Sequence, residues 1–424
     1  MSQQKLFTSE HVSPGHPDKI CDQISDWLLD KHYELAVRGL GEHADRESVL
    51  NKIINTRVAI EAMVKAGVRL RPSVVIAGEV TSDAEVMYLS EISKLVEKIG
   101  YTEDISEEFN SDNLNLIKLI TEQSPDIDSC VSSGTVDEIG AGDQGIMFGY
   151  AVNEAPDYTG WCHYIARMIV SEIWKMKNAN DINGLKSICP DYKVQVTIDY
   201  APAVPKLKTV LVSCSHTKET DVKRLRYALN GLIKDTLEYF HDKENWKLDI
   251  SDYELLINPY GPFTIFGPVA DSGLTGRKIV CDQYGGYAPV GGGAFSGKDL
   301  TKVDRTAAYM ARFVAKNIMS KLVNGGMGSP LDNPYDCSVE VAYIIGRAEP
   351  VSVTVTVKDE SGDTWVVPEY ELENVFGMPV YKLFKPFETI KYLNLEKVRY
   401  SDIAAFGHIG VDTYNIHKPW EQLI

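Results

Sequence analysis

The strongest constraint on what this chain can fold into is a pattern that occurs three times. Two strand-like runs separated by a turn are followed, each time, by a helical repeat. The first copy reads TRVAIEAMVKAG, PSVVIAGEVTS and DAEVMYLSEISKLVEKIG; Ile92, Val96 and Ile99 fall at helical spacing, and Ser82 with Glu85 forms a capping box. The second reads YKVQVTIDYAPAVPKLKTVLVSCSH and TKETDVKRLRYALNGLIKDTLEYF. There Val194, Val196 and Ile198 alternate, while Val222, Leu225, Leu229, Leu232 and Ile233 repeat as a helix. The third is SVEVAYIIG, the turn RAEP, VSVTVTVKD and a weaker helical stretch near PEYELENVF. Three hairpins that each feed a helix predict an α+β chain of three similar β-hairpin/helix subdomains, each sheet covered on one face by helices.

The chain has 424 residues and a formal net charge of −17. That balance argues against broad nucleic-acid binding, which needs a basic surface to displace counterions. It leaves room for a phosphorylated small molecule, because a few convergent Lys and Arg in a cleft can hold one against an acidic background. No run reaches the length of a transmembrane helix. The start, MSQQKLFTSEHVSPGHPDK, lacks an apolar signal core, so a cytoplasmic location is expected. Seven cysteines, at 21, 130, 162, 189, 214, 281 and 337, form no C-x-x-C pair and read as reduced, mostly buried thiols.

Between the repeated units lie loops suited to chemistry. GGGAFSGKDLTKVDR, residues 291–305, is one letter from a phosphate-binding P-loop: Asp299 stands where that motif requires Ser or Thr. Three glycines let backbone N–H groups approach an anion, and the helix expected from KVDRTAAYMARFVAKNIMSKLV favours negative charge at its start. Lys298, Lys302 and Arg305 share a face if that helix begins early, and Asp304 could bring a hard cation to the same phosphates. A flexible turn capping an amphipathic helix is the plain alternative. Arg277 and Lys278, preceded by Asp271, are adjacent cations of a kind that is more often solvated. Asp18, Asp22, Asp26 and Asp30 repeat every four residues after His16. Asp22, Asp26 and Asp30 read as a solvated stripe, and Asp18 as either an N-cap or a functional carboxylate. Asp143 and Gln144 sit among four glycines, in a tight turn or a polar receptor. Glu61 and Glu79 interrupt apolar strands, and need a partner or ion if buried, or face water.

Taken in order, FTSEHVSPGHPDKICDQISD, EQSPDI, GAGDQGIMFGYA, DSGLTGRKIV, GGGAFSGKDLTKVDRTAAYMAR and IIGRAEP resemble the S-adenosylmethionine synthetase (methionine adenosyltransferase) family over nearly the full length. The resemblance implies three subdomains related by pseudo-threefold symmetry, placed here at 1–125, 126–264 and 265–424 with interleaved segments. It implies ATP and L-methionine as substrates, and S-adenosylmethionine, phosphate and pyrophosphate as products. Active sites are then built between the subunits of a homodimer that pairs into a homotetramer, with no nucleic acid or membrane as partner. The methionine sulfur attacks the ribose 5′ carbon, and the displaced triphosphate is hydrolysed before release. By the same resemblance His16, Lys193, Arg277, Lys278, Lys298 and Lys302 surround the triphosphate, with His16 near the breaking bond. Phe263, Asp271 and Ile345 fall on the adenosine side; Glu79, Gln123, Asp143, Asp271 and Lys302 fall on the methionine side. Asp18 and Asp304 correspond to carboxylates for two Mg²⁺ ions, and Glu61 to the carboxylate of a K⁺ ion. A neutral thioether has no proton to lose, so such catalysis rests on alignment and fixed charge rather than a general base.

The chain departs from the family at NPYGPF (Tyr260, Pro262), at Ala270 and at Val290, which replaces a histidine. An extra segment, AVRGLGEHADRESVLNK at 36–52, is expected to be a surface helix or arm touching another subunit. The competing readings are a non-catalytic paralogue, a stand-alone triphosphatase and a true P-loop kinase. Retention of every metal carboxylate and triphosphate cation opposes the first, and Gln123 with Asp143 opposes the second. Asp299 opposes the third.

Overall fold

Each of three long helices is preceded by one strand and followed by a hairpin. The computed structural model describes residues 5–41, 43–123, 138–179 and 185–424. Cys130, all of EQSPDI after Gln123, and the expected boundary at 125/126 lie outside the described residues. The first unit is β1 (Leu6–Val12), α1 (Pro17–Arg38), α2 (Arg46–Ile54), the hairpin β2 (Arg57–Gly67) and β3 (Leu70–Thr81), α3 (Tyr88–Ile99) and β4 (Asn115–Thr121). The second is β5 (Gly145–Val152), α4 (Trp161–Asn178), the hairpin β6 (Ile188–Asp199) and β7 (Lys206–His216), α5 (Val222–Glu244) and β8 (Glu254–Ile257). The third is β9 (Gly273–Leu274), α6 (Val303–Val323), the hairpin β10 (Pro334–Tyr343) and β11 (Ser352–Asp359), β12 (Thr364–Val366) and short helices from Glu369 to Phe406.

Each leading strand joins the sheet of another unit. The sheets run β4-β3-β2-β9, β1-β6-β7-β8 and β12-β11-β10-β5. Thus β1 pairs with β6, β5 with β10 and β9 with β2, all antiparallel. The expected hairpins are all present, and the alternating Val194, Val196 and Ile198 are fully buried. Helix α1 packs on β2, α4 on β1 and β6, and α6 on β5 and β10. The outer helix α3 buries Ile92, Val96 and Ile99 as its spacing requires, and α5 buries Leu225, Leu229 and Ile233. Each such side chain contributes roughly 1.5–3 kcal/mol.

Three local expectations are corrected. Helix α3 begins at Tyr88 with no side-chain cap, while Ser82 Oγ instead accepts from Ala84 N at 3.1 Å, so no capping box forms there. The extra segment, by contrast, finishes α1 and forms the expected helix, α2, whose apolar side packs on its own chain. Leu50, Ile53 and Ile54 are buried, and Arg46 reaches Glu396 at 2.7 Å and the Lys391 carbonyl at 2.9 Å. Helix α6 starts at Val303, after Lys298 and Lys302, and Arg305 is fully buried, so the three cations do not share one helix face. The aspartates of α1 are not solvated either; most of that helix is buried, and its acidic stripe meets backbone N–H groups rather than water. Among the described residues no helix is long and apolar enough to cross a membrane, and the six described cysteines are buried and unpaired.

Candidate active site

Helix α1 organises the loops that carry the cations. Its aspartates, one turn apart, accept hydrogen bonds from successive loop N–H groups. Asp18 Oδ1 accepts from Leu274 N at 3.0 Å, Asp22 Oδ1 from Gly276 N at 2.9 Å, and Asp26 Oδ1 from Gly297 N at 2.8 Å. Asp30 accepts from Tyr400 N at 3.1 Å and Ser401 N at 2.9 Å. A carboxylate aimed at backbone N–H groups satisfies donors that a buried loop would otherwise strand.

At the start of α1, one group of candidates converges. His16 is the N-cap and its Nδ1 accepts from Asp18 N at 3.2 Å. Asp18 is therefore not the cap; its Oδ2 accepts from Lys278 Nζ at 2.5 Å, and Arg277 Nε stands 3.7 Å from Oδ1. Burial acts to raise the Asp18 pKa, but the Lys278 hydrogen bond and charge with the Leu274 N–H outweigh it and hold the carboxyl below its ordinary value. Burial, reinforced by Lys278, pushes His16 down to about 4, despite the opposing charge of Asp18. Its ring is neutral at pH 7. Lys193 and Asp271 also act on this imidazole. Lys193 pairs with Glu10 at 2.7 Å, across β6 and β1.

A second group lies at the start of α6. Lys298 forms an ion pair with Asp304, and Lys302 lies against Gly142, beside Asp143. Asp143 Oδ1 accepts from Gln144 N at 2.8 Å. The loop is zipped to the segment just after β10: Ala141 N donates to Arg347 O and Gly346 N to Ala141 O, both at 2.9 Å. The space where a side chain on Gly293 would sit is taken by Asp304, whose Cγ would lie 2.1 Å from an added Cβ.

Asp299 is structural. It accepts from Val58 N at 2.9 Å and from Thr301 N at 2.9 Å and Thr301 Oγ1 at 2.6 Å, with Arg57 Nε 3.6 Å away. It fastens the glycine loop to β2 and does not face a phosphate cradle.

Sheet β4-β3-β2-β9 links the second group to the carboxylates of β2 and β3. Ala59 pairs with Glu79 on one side and bridges to Lys298 on the other, so Glu79 and Lys298 flank a small residue at two strand spacings, about 10 Å. Glu61 is exposed two residues along the same face. Gln123, just after β4, is buried, and its N donates to Thr81 Oγ1 at 3.3 Å. Phe263 sits on a separate loop, its N donating to His216 Nε2 at 3.1 Å while its carbonyl accepts from His216 N at 2.9 Å. The two groups are two turns of α1 apart, about 12 Å from Asp18 to Asp26 along the helix.

Two participants were not singled out in the sequence. Glu10, within FTSEHV, holds Lys193. Asp191 accepts from Gly267 N at 2.8 Å and so carries the loop between Phe263 and Asp271; burial, reinforced by the Asp271 charge, pushes it up to about 6. Arg305, grouped in the sequence with Lys298 and Lys302, is instead a buried partner of Asp26 at 2.5 Å. Glu10 lies inside a quoted motif and Asp191 one residue before the run YKVQVTIDY, and the pairing register is what would have found their roles.

Two large clefts, of about 890 and 870 Å³, are lined by other residues, the first between α4 and α5 and the second around Trp161, Tyr200 and Trp246. Between Gly293 and Asp304 the single chain leaves a void of about 10 Å³. Among the described residues no three His, Cys, Asp or Glu side chains stand together as a ready metal cage.

Comparison with known proteins covers almost all of this architecture. Models of the S-adenosylmethionine synthetase N-terminal, central and C-terminal domains match residues 4–125, 138–263 and 265–422. An S-adenosylmethionine synthase of Rippkaea orientalis is 39% identical over 99% of this chain and 94% of its own length. One from Mycoplasmopsis pulmonis is also 39% identical, over 99% and 97%, and one from Mesoplasma florum 38% identical, over 99% and 98%.

Proposed function

The chain belongs to the S-adenosylmethionine synthetase family, and from that premise we propose that it joins ATP and L-methionine into S-adenosylmethionine with release of phosphate and pyrophosphate. It is a transferase, a methionine adenosyltransferase. The observation that carries the mechanistic reading is the pairing of Asp18 with Lys278 and of Asp304 with Lys298 beside two glycine-bearing loops. Each pair brings together a hard oxygen donor and a phosphate-seeking ammonium.

The residues fit two Mg²⁺ ions. Asp18 is kept ionised by its surroundings, and a lone carboxylate at each position suits a cation that keeps waters and shares phosphate oxygens. When bound, such ions would neutralise charge on the leaving triphosphate. Glu61, exposed on the outer sheet face, is assigned to K⁺. The chain's own work is alignment. His16, neutral at pH 7, caps α1 with its ring nitrogen and is placed to donate its other N–H toward the departing oxygen. Lys193, Arg277, Lys278, Lys298 and Lys302 compensate the negative charge that grows as the ribose–oxygen bond breaks. Glu79, Gln123, Asp143, Asp271 and Lys302 hold the methionine, and Phe263 and Ile345 flank the adenosine. Water is then directed at the retained triphosphate.

The active site is completed by a second copy. The candidates form two groups on one chain, and the outer face carrying Glu61 and Glu79 also exposes Met63 (41%), Ile117 (44%) and Leu119 (59%). Burying such a face against its equivalent is the economical way to cover it. A homodimer, paired into a tetramer, is assigned on the family reading. The subdomains are taken as 1–125, 126–264 and 265–424, and the cyclic lending of β1, β5 and β9 supports a pseudo-threefold relation among them. A cytoplasmic location is assigned.

The test is incubation with ATP, methionine, Mg²⁺ and K⁺, following S-adenosylmethionine, phosphate and pyrophosphate together. Equal formation of all three is expected. Phosphate without S-adenosylmethionine would overturn the synthetic assignment.

A further inference from the structure

Two carboxylates of α1 grip the residue immediately before each cationic segment. Asp22 Oδ1 accepts from Gly276 N, next to Arg277 and Lys278; Asp26 Oδ1 accepts from Gly297 N, next to Lys298, and from Arg305 Nη2, next to Asp304. Both glycines are left-handed, at φ +78° and +81°. A Cβ on Gly276 would lie 2.6 Å from Ala294 Cβ, and one on Gly297 would lie 1.9 Å from the Ile60 carbonyl oxygen, so each loop is already in close contact on its far side. Asp22 cannot swing away, because its Oδ2 accepts from Lys19 Nζ at 3.0 Å, and that ammonium is held by Asp282 at 2.6 Å. All four side chains in this set, Lys19, Asp22, Asp26 and Asp282, are buried.

We propose that Asp22 and Asp26 are positioning residues of the triphosphate cradle, acting through Gly276 and Gly297. One helical turn between them, about 6 Å of rise, sets the separation of the Arg277–Lys278 loop from the Lys298 loop. Neither carboxylate is placed against phosphate or metal; each acts on the backbone beside the groups that are. A rigid spacer of this kind suits a reaction that depends on alignment, where a displacement of about 1 Å can cost on the order of 10²-fold in rate. The inference rests on the assignment of the cations to the triphosphate.

The probe is inorganic tripolyphosphate with Mg²⁺, whose hydrolysis and calorimetric binding are compared among wild type, Asp22→Ala and Asp22→Asn, alongside thermal unfolding. Asparagine keeps a carbonyl oxygen for the Gly276 N–H, and alanine does not; in both, Lys19 retains Asp282. At a temperature well below every unfolding midpoint, Asp22→Ala is expected to weaken tripolyphosphate binding and slow its hydrolysis by about 10-fold or more. The methionine KM should move by less than about twofold, and Asp22→Asn should recover most of the loss. Asp22→Ser, too short to reach Gly276, is the second variant if alanine does not fold. Wild-type tripolyphosphate kinetics in the folded alanine or serine variant, or no recovery with asparagine, would overturn the proposal. A wild-type protein that neither hydrolyses tripolyphosphate nor forms S-adenosylmethionine would remove the site assignment itself, and this inference with it.

Discussion

Asp299 and Val58 hold each other through two hydrogen bonds, Asp299 N to Val58 O and Val58 N to Asp299 Oδ2, each 2.9 Å. The residue that breaks the P-loop motif is thus the one that ties the glycine loop to β2. Asp299→Thr, which restores the P-loop letters, should therefore damage the protein. It removes the carboxylate beside buried Arg57 and leaves that charge unpaired, at a cost of about 3 kcal/mol. Urea unfolding of the variant measures this; an unchanged midpoint would show that Asp299 is not the anchor.

Neighbouring glycines of the same loop should respond differently to the same change. An added Cβ on Gly292 meets nothing within 4 Å, whereas one on Gly293 would meet Asp304 Cγ at 2.1 Å. Gly292→Ala should keep near-wild-type activity. Gly293→Ala should displace Asp304 and Lys298 together, lower kcat/KM by about 10-fold or more, and raise the Mg²⁺ needed for half-maximal rate. Mg²⁺ titrations of both variants decide it.

His16 makes stability depend on pH in a definite direction. Its folded pKa of about 4 lies below the ordinary 6.5, so its contribution is complete above pH 6.5 and is lost as pH falls toward 4, because only the unfolded chain takes up the proton. At pH 5 the loss is about 2 kcal/mol. Denaturation at pH 7 and pH 5 should show His16→Gln losing less stability than wild type by about that amount.

Leu119→Arg tests the outer sheet face. It should leave the secondary structure intact and shift sedimentation to a single chain, with activity falling in parallel. An active variant of unchanged mass would separate that face from assembly.

Much of this was legible because its periods are unambiguous. The hairpins and Val194, Val196 and Ile198 alternate cleanly, and α5 and α6 carry uninterrupted helical repeats. The family motifs drew attention to the carboxylates and cations that the structure gathers at the starts of α1 and α6. The α1 aspartates were misread because a four-residue polar stripe looks the same whether it meets water or a loop's N–H groups; which one covers it depends on segments more than 200 positions away. Arg305 was misread for the same reason. Its partner is on α1, and nothing near it in the chain reports that it is buried. Glu10 and Asp191 acquire their roles only from the register of β1, β6 and the loop that reaches Gly267, which sequence proximity does not encode.

The exchange of leading strands has a consequence for synthesis on the ribosome. β1 emerges among the first residues, but Leu6 pairs with Asp199, so its backbone groups wait until the central hairpin has been translated. The sheet of the first unit is closed in turn only by β9, where Leu274 pairs with Met63. The last hairpin arrives to find β5 already waiting, with Asp336 pairing Val152. No unit can complete itself as it leaves the exit tunnel, and loop closures this long slow the search. Nascent chains should depend on being shielded until the third unit is out, and truncated ones should present open strand edges to one another.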